Sequence, residues 1–152
     1  MKRTALFFTI SLFLCAGGLL FGQNQASDSA EEALDWMLQE TTEMIVRELN
    51  NRGELELEID RVLLEGRPIS LGDYLAAALP IRLSSRGGHR ISVAARPGEA
   101  EYRLEGKVFL LGDKLQLFLS ILDEEGKVDG GKELRLPLSP ALEELLQPVR
   151  RI

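Results

Sequence analysis

His89 is the only histidine in 152 residues, and Ser84 and Ser85 stand a few positions before it. A serine hydrolase needs such a pair, but it also needs a group to orient the base and a strained turn to present the hydroxyl. Neither serine has the glycine spacing of a nucleophile elbow. His89 therefore reads as a solvent-facing group at a helix end, and no catalytic residue is assigned. Cys15 is the only cysteine. One His and one Cys cannot build a His/Cys zinc site or an intrachain disulfide. Asp123, Glu124, Glu125 and Asp129 gather around glycines, but they miss the alternating ligand positions of a calcium loop. They read as a polar hairpin tip. Gly87-Gly88 and Gly130-Gly131 lack the spacing that cradles phosphate. No metal site and no cofactor are expected.

Two surfaces remain as candidates for binding. Glu54, Glu56 and Glu58 alternate with leucines, so they share one face of a strand. That face is either solvated or a docking edge for a basic partner; exposed charge also blunts unwanted strand pairing. Trp36 and Met44 lie on or beside the apolar stripe of a helix, and an aromatic there is either core or an interface anchor. The chain carries 18 Lys+Arg against 24 Asp+Glu, a net charge of −6. No basic stripe is visible, so nucleic acid is not an expected partner. The expected partners are an envelope protein or a second copy of the chain, with membrane association open.

The elements that must position these residues begin after an address. Lys2 and Arg3 precede an uncharged apolar run from Thr4 to Phe21, followed by small residues. This is the pattern of an export signal, residues 1–23. The run is about 18 residues, the lower limit for a bilayer span, so an uncut anchor is the alternative. Cys15 stands where a lipobox cysteine could stand, although Leu14 before it is not small; lipidation is a third reading. Residues 24–29 form a polar linker. A single domain fills residues 30–147, and 148–152 read as a frayed tail.

Within that domain, Ser29 and Glu32 form a capping-box pattern before a helix whose stripe is Leu34, Met37, Leu38, Thr41, Ile45 and Leu49. Asn50 to Gly53 stop it. Glu54 to Asp60 alternates as a half-buried strand, extended by Val62 to Leu64. Ser70 with Asp73 suggests a second capping box, opening a helix through Leu83 that Pro80 should kink or end. Ile91 to Val93 forms a short strand. The segment from Ile59 to Val93 is a β-α-β unit. Tyr102 to Leu110 is a longer strand in which Gly106 signals a bulge or a close approach. Gly112-Asp113 turns it into Leu115 to Ile121. Leu134 to Leu138 is a last strand, placed at an edge by Pro137, and Ser139-Pro140 opens a short helix to Gln147. The fold class is α/β (α+β), with a mixed sheet of about 4–5 strands packed by an N-terminal and a central helix.

Two stretches carry a family resemblance. Leu71-Gly-Asp-Tyr-Leu-Ala-Ala-Ala-Leu79, followed by the strand Ile91 to Arg96, is similar to the leucine–glycine helix and strand of FlgO-like and CsgG-like envelope domains. Ala100 to Gly106, Gly112-Asp113, Leu115 to Asp123 and Gly126 to Val128 resemble the same group's strand, hairpin, strand and turn-glycine pattern. The group includes curli secretion subunits, flagellar outer-membrane lipoproteins and the LpoB activator of penicillin-binding proteins. The resemblance implies a small α/β domain outside the cytoplasm that binds other proteins; it does not imply an enzyme. The group's helix between its second and third strands has no room here, because Arg96-Pro97-Gly98 is a turn. The long hairpins of the curli channel are absent, so a pore is not expected. The expected function is therefore an exported, non-enzymatic cell-envelope protein acting by protein binding. The alternative is a small-ligand or glycan-binding periplasmic domain, held at the outer membrane.

Overall fold

The computed structural model describes residues 29–86 and 90–149. The export segment, Cys15, most of the linker, Gly87-Gly88, His89 and the last three residues lie outside the described residues. The Ser29 side chain does too, so its capping role stays an expectation.

The chain runs as α1 (Ser29–Leu49), a 3-10 turn (Asn50–Arg52), β1 (Leu55–Leu64), β2 (Arg67–Pro68), α2 (Ser70–Ser85), β3 (Ile91–Val93), β4 (Tyr102–Leu111), β5 (Lys114–Leu122), β6 (Val128–Pro137) and α3 (Pro140–Leu145). The six strands form one mixed sheet in the order β2-β1-β4-β5-β6, with β3 also paired to β1. β3 and β4 lie parallel to β1, while β4-β5-β6 is an antiparallel meander. The β-α-β unit is present as β1-α2-β3. The sixth strand is β2, which the sequence pattern does not mark. It forms because Glu65 (φ 51) and Gly66 (φ 77) both adopt the left-handed conformation and fold β1 back on itself.

The helices cover one sheet face. α2 packs on β1 and α1 on β6, and α3 contacts both helices. Met37, Ile45 and Leu49 of α1, Leu71, Leu75 and Leu79 of α2, and Leu115, Leu117 and Ile121 of β5 share the core beneath. The other face is open and mostly charged.

A bulge brings β1 into phase with this core. Between Ile59↔Leu104 and Val62↔Gly106, β1 advances one residue more than β4. Strict alternation would point Arg61 inward; the bulge buries Val62 and leaves Arg61 exposed. Gly106 is the close approach its position in the strand suggested. A Cβ there would stand 2.9 Å from a Val62 methyl, and one on Gly72 would stand 2.9 Å from the Val62 backbone nitrogen.

Four expectations are corrected. Pro80 neither ends α2 nor shortens it, since the helix continues to Ser85. Pro80 removes one N–H on the outer side, and the buried Leu79 and Leu83 hold the helix on either side of it. Ser70 is not a capping residue; Ile69 occupies the N-cap, and the Ser70 hydroxyl donates to the Gln147 carbonyl at 3.3 Å. β6 starts at Val128, six residues before Leu134, with Gly130-Gly131 inside it. Gly131 is required there, because a Cβ would stand 2.7 Å from the Leu119 carbonyl oxygen. The predicted edge position of this strand and the opening of α3 at Pro140 are both present; Ser139 is its N-cap, and the Leu142 N–H donates to Ser139 Oγ at 3.3 Å. Pro148 and Val149 do not fray: Pro148 bridges to Ile69, and the Val149 N–H donates to the Pro68 carbonyl at 3.1 Å.

Candidate functional site

α1 places Trp36 and Met44 in opposite environments. Met44 is 0% exposed, in the core with Ile45 and Leu49. It offers no surface to a partner, and its candidacy as a docking residue is corrected on that ground. The helical repeat explains the burial, because 37, 41, 44 and 45 fall on one side of the cylinder. Trp36 is 41% exposed. It lines an open cleft of about 510 Å³ between α1 and α2, with Leu34, Asp35, Gln39, Tyr74 and Arg82. Asp35 and Arg82 form an ion pair across it. Partial burial pushes the Tyr74 hydroxyl above the ordinary tyrosine range, because the phenolate is the form that loses hydration.

The three acids of the β1 region do not form one bare stripe. Glu56 is exposed on the open sheet face. Glu58 is half-buried and accepts the Gly98 N–H at 2.8 Å, tying the β3–β4 connection to β1. Asp60 faces Arg103 at 3.6 Å, and Arg103 reaches Glu105 at 3.2 Å. Cross-strand pairing converts that part of the predicted acidic face into a mixed-charge ladder. Farther across the same face, Glu133 accepts from Gln116 and from Arg135. The Gln116 hydrogen bond and then the Arg135 guanidinium hold the Glu133 carboxyl below the ordinary glutamate range.

Glu54 precedes β1 and joins a different group. At the end of the sheet where β1 and β4 begin and β5 ends, Glu54, Glu101, Glu124 and Glu125 line a cleft of about 420 Å³ with Arg52 and Tyr102. Glu58, Glu99 and Asp123 line an adjoining one. Arg52 organises this acidic pole. Its guanidinium donates to the Tyr102 hydroxyl at 3.0 Å and pairs with Asp129 at 2.8 Å. Asp123 shapes the neighbouring turn, accepting the Glu125 and Lys127 N–H groups at 3.0 and 2.8 Å. Glu124 and Glu125 are left exposed at its tip. Arg52, Glu99, Glu101 and Tyr102 are absent from the sequence candidates. Arg52 lies 50 positions from Tyr102, and no local pattern signals that pairing.

Among the described residues, no group of three or more His, Cys, Asp and Glu is placed to hold a metal ion. No described helix is long and apolar enough to cross a membrane.

No protein-family model matches the sequence, and no curated protein matches it. Three solved structures are similar in shape at low identity. The LpoB C-terminal domain from Salmonella enterica has a TM-score of 0.45 at 11% identity, over 63% of this chain and 94% of that one. A DUF330 protein from Xanthomonas campestris has a TM-score of 0.37 at 14% identity, over 62% of this chain and 77% of that one. PelC from Paraburkholderia phytofirmans, crystallised as a dodecamer, has a TM-score of 0.37 at 16% identity, over 64% of this chain and 88% of that one.

Proposed function

We propose that the chain is an exported, non-enzymatic cell-envelope protein that works by binding another protein through its acidic pole. The carrying observation is the convergence of Glu54, Glu101, Glu124 and Glu125 on the exposed rim around Arg52 and Tyr102. Four carboxylates from three separate segments at one end make a negative patch with an aromatic at its centre. Such a patch steers and orients a basic partner surface. The export pattern of residues 1–23 and the sequence resemblance to FlgO-like, CsgG-like and LpoB-type domains support an envelope setting and an accessory role.

The test is a photo-cross-linking amino acid at Glu101 in the living envelope, with Ser84 on α2 as the control site. The expected result is one dominant adduct from position 101 only, lost when Glu54 and Glu124 are both changed to Lys. Equal adducts from both sites, or an adduct indifferent to charge reversal, would rule the acidic pole out.

A second reading rests on the cleft beside Trp36. Aromatic faces from Trp36 and Tyr74, bounded by Asp35 and Arg82, suit a small polar ligand or a glycan, and the volume is in the range of ligand sites. Trp36 is the only tryptophan, so its fluorescence reports the cleft directly. A saturable change on titrating sugars would favour this reading, and a flat response would dismiss it.

A further inference from the structure

Where β4 turns into β5, three successive residues are large, apolar and exposed: Phe109 at 50%, Leu110 at 44% and Leu111 at 60%. Neighbouring strand residues point to opposite faces, so the tip is apolar on both sides. Phe109 is steadied by an edge-on contact with Phe118, ring centroids 5.6 Å apart. A flat protein partner covers one face of such a hairpin and leaves the other wet. A lipid interface surrounds the tip and covers both.

The N-terminal segment arrives at the same end of the molecule. α1 runs antiparallel to β6: Arg52 pairs with Asp129, Glu48 lies over Gly130 and Glu40 pairs with Lys132. From Glu40 back to Ser29 the helix rises about 16 Å, and from Lys132 to Pro137 the strand advances about 16 Å. The start of α1 is therefore level with Pro137. Pro137 pairs with Lys114, and Lys114 pairs with Leu111. The uncharged run Thr4–Phe21 precedes Ser29 by a short linker that reaches at most about 25 Å.

Lys107 and Lys114 flank the tip, with Asp113 in the turn and Glu31 and Glu32 in the first turn of α1, whereas Glu54, Glu99, Glu101, Glu124 and Glu125 cluster at the far pole. We propose that Phe109, Leu110 and Leu111 seat in the headgroup region of the membrane that the N-terminal segment enters. The seated tip holds the acidic pole away from an anionic bilayer. This inference rests on the alternative reading of residues 1–23 as an uncut anchor and on the envelope setting of the proposed function; it does not depend on the partner.

The test uses the full chain with Cys15→Ser and one new cysteine, at Leu111 or, as control, at Glu125. Each carries an environment-sensitive fluorophore. The vesicles are phosphatidylethanolamine with about a quarter phosphatidylglycerol. Emission from position 111 is expected to shift to shorter wavelength on reconstitution and to be quenched by lipids with a nitroxide near the headgroup. Position 125 should show neither effect. A second pair leaves the label off the apolar residues: a fluorophore at Lys114→Cys, with or without Leu110→Ser and Leu111→Ser, should lose lipid quenching by about ten-fold in the serine variant. Flotation reports separately whether the chain is held on the vesicles. A chain that floats with a water-exposed tip overturns the lipid seat alone. A chain that does not float overturns the seat together with the membrane-held reading. A shift that needs no vesicles and grows with protein concentration assigns the tip to a second copy and overturns the proposal as well.

Discussion

Val62 sits between two glycines, and the two contacts differ in what can yield. On Gly106 a new Cβ would meet a Val62 methyl, whereas on Gly72 it would meet the Val62 backbone nitrogen, each at 2.9 Å. Gly106→Ala should cost about 1–3 kcal/mol in urea unfolding, and Val62→Ala in the same chain should return part of that loss. Gly72→Ala should cost as much, and Val62→Ala should return none of it, because a backbone atom stays in place. Trp36 and Met44 separate in the same experiment. Met44→Lys buries an unpaired charge at a fully covered site and should remove about 3 kcal/mol or more. Trp36→Lys should stay within about 1 kcal/mol, because the site is already half in water. Glu133 supplies a pH signature. Its folded value is depressed, so its contribution to stability is present above the ordinary glutamate range and is lost as pH falls through the lowered value. Changing Gln116 to Ala should move the Glu133 midpoint, followed by carboxyl NMR, back up toward that range.

At the scale of elements, α2 keeps its course against its own composition. Pro80 forfeits one helical hydrogen bond, and the apolar contacts of Leu75, Leu79 and Leu83 outweigh the loss. Pro80→Ala is therefore expected to raise stability by about 1–2 kcal/mol, the restored bond being partly offset by the freer unfolded chain. An unchanged or lowered urea midpoint would show that Pro80 contributes to packing instead. β1 shows the converse case. Its alternation is legible from Leu55 to Ile59, but the added residue that returns Val62 to the core is visible only when β4 lies beside it.

Across the whole molecule, α1 closes the core over β6 and α2. Met37, Met44, Ile45 and Leu49 are each 0% exposed. A chain beginning at Gly53 should therefore lose cooperative unfolding in circular dichroism, since the sheet face under α1 would be bare. The two poles give the domain a direction: apolar at the β4–β5 tip, acidic at the opposite end. Raising salt should weaken any complex formed at the acidic pole and leave the apolar tip's association little changed.

The amino-acid sequence by itself determined the elements and their class. Leucines at helical spacing set α1 and α2. Strict alternation set β1, β4 and β5, and Gly112-Asp113 set the hairpin between the last two. Those signals lie within a few residues of each other, where backbone geometry alone links residue type to conformation. The tertiary structure decided what each side chain meets. It buried Met44 and left Trp36 exposed, although both lie on one helix, because α1 turns only one side to β6 and α2. It gave Glu58 to the Gly98 backbone, and it brought Glu54 beside Glu101 and Glu124. Residues far apart in sequence met there because β1 and β4 begin and β5 ends at one end of the sheet. Distance along the chain carries no information about such meetings, because sheet pairing sets them, and pairing depends on the core that all the elements share.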